Sequence, residues 1–496
     1  MSPEKTGPAA VIVLAAGAGT RMKSRTPKIL HEIGGRSLVG HALRAARTIR
    51  PQELALVVRH ERDLVAAHIG AVDPAALIVD QDEVPGTGRA VEAALEALDA
   101  LHPHGQLSGT VVVTYGDVPL LTGGLLAELV ASHEDGHNAV TVLTAVLSDA
   151  TGYGRILRAA DGTVTGIREH KDATDAERDI REVNSGIYAF DAAVLRDSLA
   201  HVTTDNAQGE KYLTDVLALA RAAGGRVAAV VTEDRWQVEG ANDRVQLSAL
   251  GAELNRRTVE AWMRAGVTVV DPATTWIDAT VTLDEDVRLL PNTQLHGTTT
   301  VARDAVVGPD TTLTDVQVGE GAKVVRTHGS GSTIGVKASV GPFTYLRPGT
   351  VLGGAGKIGA FYETKNVTIG RGSKLSHLGY AGDAEIGEDT NIGCGNITAN
   401  YDGEKKHRTV IGSGVRTGSN TVFVAPVQVG DGAYSGAGAV IRRDVPPGAL
   451  VLSLAKQQNT EGWVQANRPG SVSASLAAAA GATTTSSSTP ASTEEG

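Results

Sequence analysis

Residues 283–313 read LDEDVRLLPNTQLHGTTTVARDAVVGPDTTL, and a bulky apolar residue recurs in this segment at every sixth position. The same interval returns further along the chain, with interruptions. The positions that keep it are Leu283, Leu289, Leu295, Val301, Val307, Leu313, Ile334, Val340, Leu346, Leu352, Ile358, Ile369, Leu375, Ile386, Ile392, Ile411, Thr417, Phe423, Val429, Ser435 and Ile441. A period of six matches neither an α-helix nor an alternating β-strand, so it counts a larger repeating unit.

Glycine follows many of these apolar residues, as in Ile334-Gly335 and Val429-Gly430. The pattern indicates hexapeptide repeats, in which a short strand points one apolar side chain inward and ends at a tight corner. Three hexads make one triangular coil, and stacked coils bury a continuous core. We therefore expect a parallel β-helix, since a disordered Gly-rich segment would not hold Ile, Val and Leu in register.

The composition of the 496-residue chain agrees with this expectation, because 59 glycines suit the repeats and only 4 Phe and 4 Trp suit a narrow core. A formal charge of -11 argues against nucleic acid or an anionic membrane as a partner. The single cysteine, Cys394, excludes an intramolecular disulfide and a cysteine-based metal cluster. The apolar run at residues 9–16 is shorter than the roughly 18 residues of a membrane span. We expect a cytoplasmic protein.

The first half of the chain alternates apolar runs with helical patterns, which is typical of a doubly wound parallel α/β sheet. The predicted strands are Val11–Leu14, Leu54–Val58, Ala76–Val79 and Val111–Thr114. The first strand runs into a loop of small residues, Ala15–Gly19, whose backbone N–H groups suit phosphates. Arg21 and Lys28 follow this loop and supply the fixed cations that a triphosphate needs.

Polar side chains also follow other predicted strands. Gln81 with Gly86-Thr87-Gly88 suits the edge of a base, and Asp117 comes directly after a buried strand. Beside a phosphate loop, such a carboxylate is a candidate Mg²⁺ ligand, because Mg²⁺ takes few protein oxygens together with substrate phosphates. The remaining polar groups next to glycine suit sugar hydroxyls or a second metal ligand, and they are Gly154, Glu169, Asn184 and Asn242.

The segment Leu14–Met22 with Pro27-Lys28 resembles the signature of the sugar-1-phosphate nucleotidylyltransferases. Together with the hexapeptide half, residues 9–465 resemble the bacterial bifunctional N-acetylglucosamine-1-phosphate uridylyltransferases and glucosamine-1-phosphate acetyltransferases. The resemblance implies UTP and UDP-sugar ligands at Leu14, Ala15, Ala16, Gly17, Lys28, Gln81, Gly86, Thr87, Tyr115, Gly116, Asp117, Gly154, Glu169, Asn184 and Asn242. It also implies catalytic charges at Arg21 and Lys28, and Mg²⁺ at Asp117 and Asn242.

In the second half, we expect the active-site residues in the segments that interrupt the six-residue interval. The resemblance implies that His377 is a general base, and that glucosamine 1-phosphate binds to Arg347, Lys365, Tyr380 and Asn391. The residues implied on the acetyl-CoA side are Cys394, Asn400, Tyr401, Ser419 and Ala437. Where the family often has Arg near the coenzyme tail, this chain has Leu454, followed by Lys456. Members of the family are homotrimers with the acetyl site between subunits.

These inferences give a domain plan. Residues 1–241 form a Rossmann-like uridylyltransferase domain, residues 242–266 a linker helix, and residues 267–468 a left-handed β-helix with acetyltransferase activity. The helix could equally be the last helix of the first domain. Residues 469–496, which are rich in Ala, Ser and Thr, are expected to be disordered.

The predicted function is a two-step synthesis of UDP-N-acetylglucosamine for cell-wall precursors. Acetyl-CoA acetylates glucosamine 1-phosphate, and UTP then uridylylates N-acetylglucosamine 1-phosphate with release of pyrophosphate. One alternative is a single-activity pyrophosphorylase for glucose 1-phosphate, whose β-helix serves only for assembly; His377 and the Asn400-Tyr401 loop argue against it. Another is a non-catalytic regulatory subunit, which the presence of Arg21, Lys28 and Asp117 disfavours.

Overall fold

A computed structural model describes residues 7–102, 105–206, 208–453 and 457–481. The strands of the amino-terminal part are β1 (Ala10–Leu14), β2 (Glu32–Ile33), β3 (Arg36–Ser37), β4 (Glu53–Val58), β5 (Leu77–Asp80), β6 (Thr110–Tyr115), β7 (Val140–Val146), β8 (Arg155–Arg158), β9 (Val164–Arg168), β10 (Glu182–Asp191) and β11 (Val227–Thr232). Its helices are α1 (Leu38–Thr48), α2 (Arg62–Val72), α3 (Thr87–Ala100), α4 (Gly123–Asp135), α5 (Asp175–Arg178), α6 (Ala192–His201) and α7 (Asp215–Ala222). Single 3₁₀ turns lie at Thr20–Met22, Lys28–Leu30 and Arg235–Gln237.

The central sheet has the strand order β11-β7-β10-β6-β1-β4-β5, and the hairpin β8–β9 extends from β10. The predicted α/β fold is confirmed, and β1, β4, β5 and β6 are parallel as expected. The sheet also contains β10, which the sequence analysis did not predict and which runs antiparallel to both β6 and β7. The connection between β7 and β10 contains the β8–β9 hairpin and the four-residue α5, and it has no long helix of the kind that usually carries a chain across a sheet for a parallel return.

Helix α8 (Arg244–Arg264) follows this sheet and leads into the second half. Asp243 caps it by accepting hydrogen bonds from the backbone N–H groups of Val245 and Gln246. The side chain of Asn255 fixes the helix to the first β-helical coil, since it donates to the carbonyl of Thr275 and accepts from the N–H of Ile277. The predicted helix over residues 242–266 is therefore present, and it is packed against the coil rather than loosely tethered.

The second half is a long ladder of parallel strands. They are β12 (Thr268–Val269), β13 (Trp276–Ile277), β14 (Thr282–Leu283), β15 (Arg288–Leu289), β16 (Thr293–His296), β17 (Thr300–Val301), β18 (Val306–Val307), β19 (Thr311–Thr314), β20 (Gln317–Val318), β21 (Lys323–Val324), β22 (Thr327–Ser330), β23 (Thr333–Ile334), β24 (Ser339–Val340), β25 (Thr344–Leu346), β26 (Thr350–Leu352), β27 (Lys357–Ile369), β28 (Lys374–Ile386), β29 (Asn391–Ile392), β30 (Ile397–Ala399), β31 (Thr409–Ile411), β32 (Val422–Val424), β33 (Val427–Val429), β34 (Tyr434–Ser435), β35 (Val440–Ile441) and β36 (Leu450–Val451). Each strand in the first coils pairs with the strand three places further on. The left-handed β-helix fold is confirmed.

The register shows three hexads per coil, because Leu283 pairs with Val301, eighteen residues later. Every position predicted from the six-residue interval is buried. The slip after Leu313 arises from shorter coils, in which Leu313 pairs with Gly329 and Gly329 pairs with Leu346. Gly329 thus occupies an inward position, where a Cβ atom would lie 3.1 Å from the Leu313 side chain.

The interval also continues through its apparent breaks. Thr364, Ala381 and Thr398 are buried at the inward positions of neighbouring coils, where the sequence shows no bulky apolar residue. The Thr398 hydroxyl donates to the carbonyl of Gly382 and accepts from its N–H group, which satisfies the buried polar atom. The interruption between Ile392 and Ile411 is a loop inserted after β30, as predicted.

The carboxyl-terminal segment differs from the expectation. Residues 469–496 are predicted to be disordered, but Val472–Ala479 form a helix, α10. It follows the short helix α9 (Trp463–Asn467). Alanine has the highest helix propensity, and Ser471 caps α10 by accepting from the N–H of Ala474. Residues 482–496 lie outside the described residues.

We predict that Leu313→Ala lowers the free energy of unfolding of the β-helix by about 2–5 kcal/mol, because it leaves a cavity in a fully buried core position. Thr312→Ala is the matched control, since Thr312 is the partly exposed neighbour on the same strand. Urea unfolding of both variants measures the difference. Equal midpoints would show that the inward column does not stabilise the coils.

Candidate functional site

A cavity of ≈ 420 Å³ opens at the carboxyl ends of β1 and β6. It is lined by most of the predicted nucleotide ligands, namely Leu14, Ala15, Ala16, Gly17, Lys28, Gln81, Gly86, Thr87, Tyr115, Asp117 and Asn242. Arg59 and Glu210 also line it, and the sequence analysis missed both because no motif surrounds them. Of the predicted set, Gly116, Gly154, Glu169 and Asn184 are not in its lining, and we call this space the nucleotide cavity.

The predicted phosphate loop, Ala15–Gly19, packs against Lys28 near the carboxyl end of β1. Gly19 has φ +59°, and a Cβ atom at Gly19 would lie 2.6 Å from the Cβ atom of Lys28. Only glycine both tolerates this left-handed conformation and leaves room for the lysine. Gly17 has open space where a side chain would be, so its backbone remains accessible to a ligand.

The two residues predicted to bind Mg²⁺, Asp117 and Asn242, each accept a hydrogen bond from a cationic side chain that was predicted at the same site. The Lys28 ammonium donates a hydrogen bond to the Asp117 carboxylate, and Arg21 Nη2 donates to Asn242 Oδ1 at 2.9 Å. The N–H of Ala241 donates to the Asp117 carbonyl at 3.0 Å, which ties the segment before α8 to the end of β6. One carboxylate and one amide oxygen on one cavity wall form a donor set that fits Mg²⁺. No cluster of three His, Cys, Asp or Glu suited to a metal occurs among the described residues.

The loop at residues 84–88, which is predicted to face the base, is held in place by hydrogen bonds and an ion pair. Gln81 Nε2 donates to the carbonyls of Val84 and Gly86. Lys211 braces the same loop: its N–H donates to the Pro85 carbonyl, its carbonyl accepts from the Gly88 N–H, and its ammonium pairs with Glu92 at 2.8 Å. Sequence reasoning missed Lys211, because it lies more than a hundred residues away from the loop that it supports.

The predicted sugar ligands form a cluster beyond Tyr115. The N–H of Asn184 donates to the Gly154 carbonyl at 2.8 Å, and a Cβ atom at Gly154 would lie 3.5 Å from the Glu169 carboxylate. Gly186 packs against the Tyr115 ring, where a side chain would collide with it. Burial raises the pKa of Tyr115, and the charges of Asp117 and Glu169 raise it further. Tyr115 thus stands between the nucleotide cavity and the sugar cluster.

On the β-helix, the structure divides the predicted acetyltransferase residues between two corners. The first corner contains Arg347, Lys365, Tyr380 and Asn400, which lie on successive coils. Asn400 Nδ2 donates to the Tyr380 hydroxyl at 3.4 Å and to Asp383 Oδ2 at 2.5 Å. Sequence reasoning missed the buried Asp383, which orients Asn400.

The first corner holds three cationic side chains close together, and Glu363 and Asp383 lie beside them. The ammonium of Lys406, from the inserted loop, lowers the pKa of Lys365, and the Arg347 charge acts in the same direction. Arg347 is itself paired with Glu363 at 2.9 Å. Cations held so close together suit an anionic ligand such as a sugar phosphate. Lys406 therefore joins the candidate ligands, although the sequence analysis did not select it.

The second corner contains His377, Cys394, Ser419 and Ala437. Backbone bonds stack the turns, since the carbonyl of Cys394 accepts from Asn420 and that of Ser419 accepts from Gly438. The Gly395 N–H lies against the carbonyls of His377 and Leu378. The thiol of Cys394 is free and its residue is exposed.

Two predicted ligands lie apart from both corners. Asn391 lies on the flat face, where it forms a bridge with Arg416. Tyr401 is exposed in the inserted loop, and its hydroxyl donates to the Gly403 carbonyl at 2.5 Å. Leu454 and Lys456, at the predicted coenzyme tail, lie outside the described residues.

Residues 11–184 match the model of the MobA-like NTP transferase domain family. A bifunctional protein GlmU from Pseudarthrobacter chlorophenolicus is 85% identical over 496 residues, covering 100% of both chains. The chain belongs to the bifunctional GlmU family. Another GlmU, from Paenarthrobacter aurescens, is 86% identical over 477 residues, covering 96% of this chain and 95% of the relative. A GlmU from Micrococcus luteus is 67% identical over 490 residues, covering 96% and 98%.

Membership of the GlmU family confirms the enzyme class. The chain is a nucleotidyltransferase and acetyltransferase that makes UDP-N-acetylglucosamine, and it uses a nucleotide and acetyl-CoA. The relatives are named bifunctional, which contradicts the single-activity alternative. No helix in the described part of the chain is both long and apolar enough to cross a bilayer.

Glu169 provides a test of the sugar cluster. Burial raises its pKa, and the Asp172 charge adds to this effect. The unfolded chain therefore loses this proton at lower pH than the folded chain, so the carboxyl reduces stability as pH rises from the ordinary range of Glu to the raised pKa. We predict that Glu169→Gln raises the melting temperature by a few degrees more at pH 7.5 than at pH 4. The exposed Glu128→Gln is the control, and an equal effect at both pH values would refute the shift.

Proposed function

We propose that the two reactions take place at two separate sites, with uridylyl transfer in the nucleotide cavity and acetyl transfer at the corners of the β-helix. The observation that carries this proposal is the distribution of the predicted ligands. Most of the nucleotide set lines one cavity of the α/β part, and His377 with the predicted thioester-binding residues lies on the β-helix. We infer domains at residues 1–241 and 267–468, joined through residues 242–266.

In uridylyl transfer, an oxygen of the sugar phosphate attacks the α-phosphorus of UTP, and pyrophosphate leaves. Both reactants are anionic, so the protein has to align them and neutralise charge. Lys28, Arg21 and the N–H groups of residues 15–17 face the phosphates. Asp117 and Asn242 would hold Mg²⁺, which would supply further charge neutralisation to the triphosphate. The bonds of Lys28 with Asp117 and of Arg21 with Asn242 support this, because each cation and its oxygen partner already lie together.

In acetyl transfer, the amine of glucosamine 1-phosphate attacks the thioester carbon of acetyl-CoA. The carbon–sulfur bond breaks, and coenzyme A leaves as the thiol. His377 takes the proton from the attacking nitrogen, a role that an imidazole can fill near neutral pH. Arg347, Lys365 and Lys406 bind the sugar phosphate, Asn391 and Tyr380 orient the sugar, and Asn400 lies on the acetyl-CoA side. Cys394, Tyr401, Ser419 and Ala437 contact the acetyl-CoA side, and Cys394 is not a nucleophile because direct transfer to an amine needs none.

We further propose a homotrimer in which the acetyl site forms between subunits. The supporting observation is that the predicted ligands occupy two different corners of a single prism, so one chain does not gather them around one point. Large apolar side chains are exposed beside the second corner. Phe343 and Phe361 stack with ring centroids 5.3 Å apart and are 53% and 60% exposed, and Leu378 follows them. A neighbouring prism would cover this apolar column.

The two-site proposal predicts separable losses. Asp117→Ala removes a metal ligand and should reduce pyrophosphate release from UTP and N-acetylglucosamine 1-phosphate by at least about a hundredfold, while thiol release from acetyl-CoA continues. His377→Ala should do the reverse. The two products are followed separately in each variant. If either change silenced both reactions in a folded protein, the two-site proposal would fail.

The assembly proposal predicts that Phe361→Glu dissociates the trimer and abolishes acetyl transfer while uridylyl transfer continues. A charge in the apolar column is costly to bury, so the contact should not form. Light scattering coupled to size exclusion gives the mass. Leu64→Glu, which places the same charge at an exposed apolar residue of α2, should remain trimeric and active. A monomeric parent chain with full acetyl transfer would contradict the proposal.

A further inference from the structure

The hairpin β2–β3 follows Lys28 directly in the chain. Lys28–Leu30 form a 3₁₀ turn, the N–H of His31 donates to the Lys28 carbonyl at 3.2 Å, and the N–H of Leu38 donates to the His31 carbonyl at 2.9 Å. These bonds close the base of the hairpin onto the turn that carries Lys28. A displacement of the hairpin is therefore transmitted to the lysine.

The tip of the hairpin is Gly34-Gly35, with φ +55° and +73°. Positive φ at both central residues is typical of a two-residue turn that matches the twist of the strands. Each strand of this hairpin has only two residues, and an isolated hairpin of this kind is marginally stable in water. Its position must therefore be set by the surfaces against which it packs.

Those surfaces belong in part to the other half of the molecule. The N–H of Ala279, in the first coil of the β-helix, donates to the Gly34 carbonyl at 2.9 Å. A Cβ atom at Gly35 would lie 2.5 Å from Asp278 Oδ2, and one at Gly34 would lie 2.8 Å from the Leu254 side chain of α8. The tip is thus in direct contact with the first coil and with α8, and a Cβ atom at either glycine would collide with one of them.

Helix α8 also contacts the segments that carry Arg21 and Asn242. Asn242 immediately precedes the cap of α8, and Arg244 in the first turn donates to the Met22 carbonyl at 3.3 Å, next to Arg21. Asn255 fixes α8 to the first coil. We call α8 and the first coil together the bracket. The bracket therefore contacts the hairpin that follows Lys28, and it also contacts the segments that carry Arg21 and Asn242.

We propose that Asp278 and Ala279 of the β-helix are positioning residues for uridylyl transfer, because their contact with the Gly34-Gly35 tip sets the place of Lys28 opposite Asp117. This inference rests on the proposed role of Lys28 at the UTP phosphates. Neither residue lines the nucleotide cavity. The β-helix thereby serves both reactions, as the acetyltransferase scaffold and as the support of the uridylyl site.

The test is Gly35→Ala, whose methyl group would wedge the tip away from Asp278. We expect kcat for uridylyl transfer to fall on the order of tenfold to a hundredfold with a smaller change in KM for UTP, since a displacement near 1 Å has such effects. Thiol release in the same preparation should be unchanged. Gly162→Ala is the matched control, because Gly162 also has a positive φ, +83°, but its added methyl group would meet nothing within 4 Å.

A second variant distinguishes the wedge from backbone strain. Asp278→Gly removes all three atoms nearest to the added methyl group, so the Gly35→Ala/Asp278→Gly double variant should recover most of the lost kcat. Recovery in the double variant supports the positioning role. A kcat in Gly35→Ala equal to that of Gly162→Ala, or a double variant no faster than Gly35→Ala, would overturn it.

If Gly35→Ala does not fold, Asp278→Glu approaches the same contact from the β-helix and should lower kcat for uridylyl transfer. Asp389→Glu is its control, since Asp389 packs against Gly372 in the same way but lies several coils further along the β-helix, away from the hairpin. Equal kcat values in the two would overturn the inference. Lys28→Ala separates the two claims: full uridylyl activity in that variant would refute the proposed role of Lys28 itself.

Discussion

The register between successive coils is the constraint on which the second half of the molecule depends. Each coil donates and accepts backbone hydrogen bonds with the coils on either side, so the position of one strand determines that of the next. Inward side chains such as Leu289 and Val307 pack directly on one another along the axis. Because contacts are made only with neighbouring coils, stability accumulates along the stack. The corners remain free to vary, and they carry the candidate chemistry.

The sequence was sufficient to predict much of this architecture. An interval of six residues implies the triangular coil, and every position that it selected is buried. The interval could not reveal Gly329, Thr364 or Thr398 as inward residues, because a search for bulky apolar residues ignores small and polar ones. Their places are set by backbone pairing and by hydrogen bonds inside the coil. The antiparallel direction of β10 was not predicted either, because the direction of a strand depends on the connection that precedes it more than on its own residues.

The candidate nucleotide site was predictable where its residues follow a strand in one short motif. Leu14–Gly17 and Asp117 are of this kind, and they line one cavity. Residues that act through tertiary contact were not predictable. Lys211 supports a loop more than a hundred residues away, and Asp383 orients Asn400 from an adjacent coil.

The two halves are joined by specific contacts and not only by the chain. Gly34-Gly35 of the α/β part touches the first coil, and α8 packs on both. Two separate sites, as proposed, would let two unrelated reactions coexist in one chain, with the β-helix supporting the geometry of the uridylyl site. Each reaction should then continue when the other is blocked.

Chelation of the metal tests that independence most directly. The intact protein is supplied with acetyl-CoA, glucosamine 1-phosphate and UTP, and thiol and pyrophosphate are measured before and after excess EDTA. The account predicts that EDTA stops pyrophosphate release, that thiol release continues at its former rate, and that added Mg²⁺ restores pyrophosphate release. Loss of both products, or persistence of both, would contradict it.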